Sequence, residues 1–491
     1  MLGIATGITT HYLVLGVSLL LLASVLASKA SERLGVPALL MFLFVGMLAG
    51  SEGPGGIHFD DPHLVRLLGT FALAYILFAG GLDTDWRSVR PVFRSGIILA
   101  TAGVLLTAAF VAAFAVGALG FTWLQGLLLG SVISSTDAAA IFAVLRSRRV
   151  SLKGQLKPLL ELESASNDPM AIFLTITMLR LVGDPTASWW SAFPSFVRQM
   201  LIGGAMGLLL GKAVIYLVNR VRLEYEGLYP VLTMAMVLLI FGTTETIGGN
   251  GFLAVYLAGV VLGNADFIHK RSLERFHDGL SWLMQIAMFM TLGLQVFPSH
   301  LAPVIGSGLL LSVFLMLAAR PLAVMICLVR SGLTFREKLL TSWAGLRGAV
   351  PIVLATFPMT AGAPQAEMIF NLVFFVVITT VLLQGRTLTR VARWLRLDRP
   401  IRLRPRMPLE FERTAGSLRT SMMELVVPPD SRAAGQPIIH LGLPAGALVA
   451  MIQRNGEYLV PNGGTEFQPG DVVLVLGEKK VLESTKQLLT T

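Results

Sequence analysis

Charge is what this sequence has least of: 14% of its 491 residues are Asp, Glu, Lys or Arg, where a soluble chain carries about 25%. With 54% hydrophobic residues and a mean hydropathy of +0.72, a water-soluble fold could not hide its apolar surface. Cysteine is nearly absent as well. Cys327 stands alone in an apolar run, which excludes an intrachain disulfide and leaves the redox compartment open. No phosphate-binding Gly-Lys-Ser/Thr loop is present, which argues against an ATP-driven pump. The metalloprotease His-Glu-x-x-His pattern, the nucleophile elbow and a Thr-Val-Gly-Tyr-Gly filter are missing too, against an intramembrane hydrolase and a potassium channel of that type. The seven His (His11, His58, His63, His269, His277, His300 and His440) fall in loops, at span ends or in the tail, so proton handling at the membrane centre is left to carboxylates. The expectation is a non-enzyme without a cofactor.

What is there instead is apolar length. Runs of about 20 apolar residues mark membrane-crossing helices. They fall near 12–28, 37–50, 65–82, 96–117, 123–145, 158–182, 193–218, 228–247, 250–264, 280–297, 302–329, 338–358 and 367–385, thirteen in all. The first ends in Ala-Ser-Val-Leu-Ala-Ser and imitates a signal peptide. Signal peptides carry their positive charge before the apolar core. Residues 1–11 have no Lys or Arg while Lys29 and Arg33 follow the core, so a retained helix is expected.

The net charge of +10 would suit a nucleic-acid binder, but the cations are distributed otherwise. Alternate loops hold Lys29 and Arg33; Arg87, Arg90 and Arg94; Arg146, Arg148, Arg149, Lys153 and Lys157; Arg220 and Arg222; Lys270, Arg271 and Arg275; Arg330, Arg336 and Lys338. The loops between them, 51–64, 118–122, 183–192, 248–249, 298–301 and 359–366, hold none. Cytoplasmic loops collect Lys and Arg. The N-terminus is therefore expected outside and the C-terminus in the cytoplasm, with no nucleic acid as partner.

Residues 391–415 read as a basic linker with Pro400, Pro405 and Pro408, suited to an anionic inner leaflet. Residues 1–390 form the transmembrane domain before it. Residues 416–491 read as a small cytosolic α/β domain: a strand at Met422–Val427, a hairpin over Ala447–Val460 turning at Asn455-Gly456, a strand at Val472–Leu476 and a closing helix over 479–489. It shows no catalytic cluster; a regulatory role, with a small molecule or nucleotide as the regulator, is expected.

The chemistry sits in the sixth apolar run, Glu163-Ser164-Ala-Ser-Asn167-Asp168-Pro169. Carboxylates are expensive in hydrocarbon and mark ion or proton paths there. Asp168 lies ten residues from the cytoplasmic end at Pro158, or about 15 Å at the helical rise, the middle of a bilayer core of about 30 Å. Asp137 in the polar run Ser134-Ser-Thr-Asp137, Arg347 within Gly345-Leu-Arg-Gly348, and Arg320 reach the same level from three other spans. The fifth and twelfth runs are both poor continuous helices. They stand seven spans apart and so cross in opposite directions; paired interrupted helices in inverted halves point to a transporter site. Asp137 then faces positive helix ends and Arg347 negative ones, serving packing as well as function. Glu163 has a buried partner in Arg320 and reads as mainly structural, whereas Glu161 and Glu245 lie close to span ends and read as solvated. Asp-Pro at 168–169 calls for a local break in the helix hydrogen bonds.

Thr136-Asp137, Glu163-Ser164-x-x-Asn167-Asp168 and Gly345-Leu346-Arg347-Gly348-Ala349, in that order, resemble the monovalent cation:proton antiporters of the NhaP and sodium/proton-exchanger type, over about residues 10–390. The tail, with Leu459-Val-Pro461 and Pro469-Gly-Asp471, resembles a TrkA-C (RCK C-terminal) domain, the combination seen in bacterial potassium/proton antiporters. The resemblance implies an all-α polytopic fold of thirteen helices in inverted repeats with crossed discontinuous helices, a homodimer in the bacterial inner membrane, and alternating access. It implies that Asp168 binds either a proton or K⁺ or Na⁺, that Ser164 and the Thr136 region add oxygens, and that Asn167 holds the site together. Asp137 and Arg347 would neutralise the half-helices, and Glu163 would bridge to Arg320. Asn167 before Asp168 implies electroneutral exchange of cytoplasmic K⁺ for external H⁺. Proline at 169 departs from the alanine of many relatives, and residues 1–491 hold no counterpart of a third domain some potassium exporters bear. Na⁺ or Li⁺ exchange at the same site is the alternative within transporters; a cation channel gated by the tail is the alternative from another class.

Overall fold

The computed structural model describes residues 10–34, 37–148, 150–184, 189–221, 223–400, 421–428, 431, 433–454 and 457–490. The chain forms two compact units: one takes in residues 1–266 and 272–401, the other residues 402–491 with the short stretch 267–271. The first is helical, and every expected apolar segment falls on helix. In order these are α1 (Thr10–Leu34), α2 (Ala38–Ala49), α3 (Pro62–Asp83), α4 (Trp86–Leu119), α5 (Trp123–Ile133), α6 (Ala138–Ser147), α7 (Leu156–Gly183), α8 (Ala192–Arg220), α9 (Leu228–Thr246) and α10 (Gly251–Gly263). Then follow α11 (Lys270–Leu294), α12 (Pro298–Cys327), α13 (Phe335–Trp343), α14 (Ala349–Thr360) and α15 (Ala366–Trp394).

Among the described residues, seven helices are long and apolar enough to cross a membrane alone, or up to eight if the bent pair α5 and α6 is one span. Local chemistry sets the boundaries. Asp61 caps α3 by accepting from the Leu64 N–H, and capping boxes open α5 (Thr122 with Gln125) and α13 (Thr334 with Glu337). Between α9 and α10 the Gly-Gly-Asn-Gly breaker makes a corner at Gly248, whose φ of +83° is one that glycine takes without strain.

Close approach rather than hydrophobic force holds helices together in lipid. Along α8, Gly203, Gly207 and Gly211 face α10 so tightly that a Cβ on Gly207 would sit 2.6 Å from the Ala254 carbonyl oxygen.

Two features depart from the sequence expectation. α4 and α12 each carry a π turn, at Leu99–Gly103 and Leu315–Ala319, in spans seven apart like the two broken ones. Such widened turns are common at functional positions, and the second leads directly into Arg320. His277, expected in a loop or at a span end, lies two turns inside α11, which begins at Lys270, and the imidazole is buried against Thr233 at 2.9 Å and edge-on to Phe78. The polar face of this first part of α11 hid it from a hydropathy reading.

Helix α15 continues through Trp394, and Asp398–Pro400 (β2) pairs antiparallel with Val150–Leu152 (β1), Ser151 opposite Arg399. Residues 391–400 thus belong to the helical unit; Pro405, Pro408 and the rest of the expected linker lie outside the described residues. In the second unit β3 (Ser421–Val426), β4 (Leu448–Arg454), β5 (Glu457–Leu459) and β6 (Val472–Gly477) form an antiparallel sheet in the order β3-β6-β4-β5. Helix α16 (Lys479–Thr490) brings Leu482 and Leu489 into a core with Leu425, Ile452, Phe467 and Val473. Asp471, 1% exposed, accepts from Arg454 Nε at 3.0 Å and Nη2 at 2.8 Å, which raises the guanidinium pKa above its ordinary value. The expected turn Asn455-Gly456 lies outside the described residues.

Candidate functional site

Both interrupted spans break where the sequence is polar or glycine-rich, and the breaks cross. Helix α5 stops at Ile133 and α6 starts at Ala138; α13 stops at Trp343 and α14 starts at Ala349. The Asp137 N–H donates to the Leu346 carbonyl at 2.8 Å, joining the two breaks. Every helix end exposes unpaired backbone groups and a partial charge. Asp137 caps α6, its Oδ1 accepting from the Ala140 N–H at 3.0 Å. It also lies against Gly348 at the start of α14, near a second helix N-terminus that it does not cap by a hydrogen bond. Arg347, 0% exposed, does the converse: its Nη1 donates to the Ser134 and Ser135 carbonyls, at 2.6 and 2.7 Å, beyond the end of α5.

The crossing leaves no space for a methyl group at Gly348, whose Cβ would stand 2.7 Å from Asp137 Cγ. Misplacing a working group by about 1 Å costs about a hundredfold in rate. Gly348→Ala is therefore expected to cut transport about ten- to a hundredfold in reconstituted vesicles; wild-type rates would show that the crossing yields at no cost.

Helix α7 lays its polar face on this crossing. The Ser164 hydroxyl donates to the Thr136 carbonyl at 3.0 Å and accepts from the Ala138 N–H at 2.9 Å, bridging the break in its neighbour. Asn167 Nδ2 donates to Thr136 Oγ1 at 2.7 Å, while Asn167 Oδ1 is buried with no hydrogen-bond partner among the described residues. Asp168 accepts a hydrogen bond from the Ser135 hydroxyl and is 8% exposed: buried, but not sealed. The proline after it does not end the helix. α7 runs unbroken from Leu156 to Gly183 with Pro169 inside, and the missing N–H leaves the carbonyl one turn earlier, at Ala165, without its helical donor.

Thr136, Asp137, Ser164, Asn167, Asp168 and Arg347 thus meet in one network. Ser135 links Asp168 to the carbonyl held by Arg347, and in the sequence only its place in the Ser134–Asp137 run signals it. Glu163 and Arg320 form a second, adjoining unit. Their Oε1–Nη2 distance is 2.5 Å, both are buried, and the Arg320 side chain lies over Gly345. Glu161 pairs instead with Lys157 at 3.5 Å, and Glu245 accepts from the Gly251 N–H at 2.8 Å.

Comparison with known proteins agrees with this geometry. The family model described as sodium/hydrogen exchanger, transmembrane, matches residues 17–394, and the TrkA-C domain model matches 422–490. The chain is 39% identical over 463 residues to a protein of Alkalimonas amylolytica named K(+)/H(+) antiporter NhaP, covering 94% of this chain and 80% of that one. It is 41% identical over 480 residues to the K(+)/H(+) antiporter NhaP2 of Shewanella oneidensis, covering 96% and 82%. Its fold is similar to the solved sodium proton antiporter MjNhaP1 of Methanocaldococcus jannaschii, with a TM-score of 0.68 at 24% identity over 78% of this chain and 99% of the other. Crossed half-helices, a buried aspartate beside them and the match over residues 17–394 together place the chain in the sodium/hydrogen exchanger family of membrane proteins.

Proposed function

We propose that this chain exchanges cytoplasmic K⁺, and also Na⁺, for external H⁺, one for one, by alternating access with cation and proton competing for Asp168. The observation that carries it is the pairing of a buried carboxylate that keeps 8% of its surface exposed with an acceptor on the neighbouring residue, Asn167 Oδ1, that has no partner among the described residues. Neutral groups alone would leave a cation without a counter-charge, and a carboxylate alone would bind little besides protons. Together they offer oxygen ligands to a dehydrated monovalent cation when Asp168 is ionised. Protonation removes the charge, so one site cannot hold both ions and the two fluxes are coupled.

Potassium is favoured by the relatives named K(+)/H(+) antiporters at about 40% identity along nearly the whole chain. Exchange of Na⁺ or Li⁺ is the second reading, supported by a 29% identical relative named Na(+)/H(+) antiporter 1. The discontinuous, crossed helices favour a carrier over a channel. No enzymatic step is assigned. The loop charges support an outside N-terminus and a cytoplasmic C-terminus in a bacterial inner membrane. A homodimer, and a small-molecule or nucleotide regulator acting on residues 416–491, complete the proposal.

Proteoliposomes loaded in turn with K⁺, Na⁺ and Li⁺ test it across pH. Saturable proton movement driven by K⁺, insensitive to membrane potential, is expected. Flux that rises linearly with concentration, or that shows no coupling to protons, would overturn the proposal.

A further inference from the structure

Asn250 is buried (3% exposed) at the corner that starts α10, and each of its polar groups has a distinct partner. Its backbone N–H donates to the Gln199 carbonyl of α8 at 3.1 Å. Its Oδ1 caps α10 by accepting from the Leu253 N–H at 3.0 Å. Its Nδ2 donates to the carbonyl of Pro169 at 3.2 Å, reaching across to the helix that carries Asp168 and to the residue directly after it. The corner itself is rigid: Gly249 N–H bonds the Thr244 carbonyl at 2.9 Å, and Gly203 of α8 packs against the Asn250 backbone. The residue belongs to the α8–α9–α10 block, yet one of its bonds ends beside the ion site.

Beyond that bond the contact between α7 and α8 turns apolar. Met170, Phe173 and Leu174 cluster with Val104 and Phe196, the Phe173 and Phe196 rings lying 5.0 Å apart. Apolar surfaces can slide; a directed hydrogen bond from a side chain fixed at both its backbone and its oxygen sets a register.

We propose that Asn250 is a positioning residue for the exchange site. Its amide latches the Asp168 helix to the α8–α9–α10 block in the conformation seen here, and the bond breaks each time the site changes face. The role rests on exchange at Asp168 by alternating access. Losing one neutral hydrogen bond shifts an equilibrium by about two- to tenfold.

Two substitutions separate the latch from the cap. Asn250→Ser keeps a capping oxygen, since Ser caps as well as Asn, but its hydroxyl is too short to reach Pro169. Asn250→Asp keeps the cap and turns an acceptor toward the carbonyl. In proteoliposomes both are expected to raise the KM for K⁺ on one face of the membrane about two- to tenfold, with the maximal rate less affected, and Asn250→Asp to be the stronger. Hydrogen exchange across residues 170–183 is expected to quicken in both, while the thermal transition of Asn250→Ser stays near wild type. Unchanged KM together with unchanged exchange, or a lowered thermal transition with no shift between KM and kcat, would overturn the latch. If the wild type itself shows no coupled flux, the antiport proposal fails, whereas hydrogen exchange still reports the latch separately.

Discussion

Asp168→Asn is expected to reduce cation-driven proton flux to the level of empty liposomes while leaving the protein folded. The two properties separate because of what surrounds the carboxylate. Its oxygen accepts from the Ser135 hydroxyl, and an amide oxygen of the same shape still accepts that bond, though more weakly without the charge. Asn167 Nδ2 stays on Thr136, Ser164 stays on the Thr136 carbonyl, and the crossing held by Asp137 and Arg347 is untouched. What disappears is the negative charge that a dehydrated cation requires and the proton that an amide cannot release. Both half-reactions fail together, so no pH or cation concentration should rescue flux. Asp168→Glu keeps the charge but adds a methylene to a well-packed site, where overpacking costs about 1–3 kcal/mol. Partial flux with an altered K⁺ to Na⁺ ratio is expected from it. Coupled exchange at wild-type rates in Asp168→Asn liposomes would move the ion site elsewhere.

Much of this arrangement was legible in the chain because lipid makes polar residues conspicuous. Asp168, Asp137 and Arg347 stand out against apolar neighbours, and helical rise alone put them at one depth. Their partners were less visible. A hydroxyl inside a polar run can turn to either side of a broken helix, so nothing in Ser134-Ser-Thr decides that Ser135 meets Asp168 while Thr136 meets Asn167. The Asn250 bond was hidden for another reason: its partner is a backbone carbonyl, which every residue has. The π turn before Arg320 leaves no residue signature either, since Leu-Met-Leu-Ala-Ala suits an α-helix equally well. The expected break at Asp168-Pro169 is confined to one hydrogen bond, because one missing N–H in a helix packed on several neighbours removes a bond without ending the segment.

The pair Glu163–Arg320 leads to the other large effect. Both side chains are almost wholly buried, 1% and 3% exposed, at an N–O distance of 2.5 Å. Removing one member strands the other's charge in an apolar interior, which costs about 3–5 kcal/mol. Glu163→Gln and Arg320→Gln are each expected to lower the thermal transition in detergent and the yield of folded protein. Replacing both with apolar side chains of similar volume, Glu163→Leu with Arg320→Met, removes two charges instead of stranding one and is expected to recover most of that loss. Transport separates two roles that stability alone confounds. Arg320 lies over Gly345 in the break between α13 and α14, so a pair needed only for packing would let the double variant exchange ions once it folds. A double variant that is stable but silent would give Arg320 a part in transport. Single variants as stable as wild type would instead mean that water reaches the pair, contrary to the packing that makes this charge pair necessary.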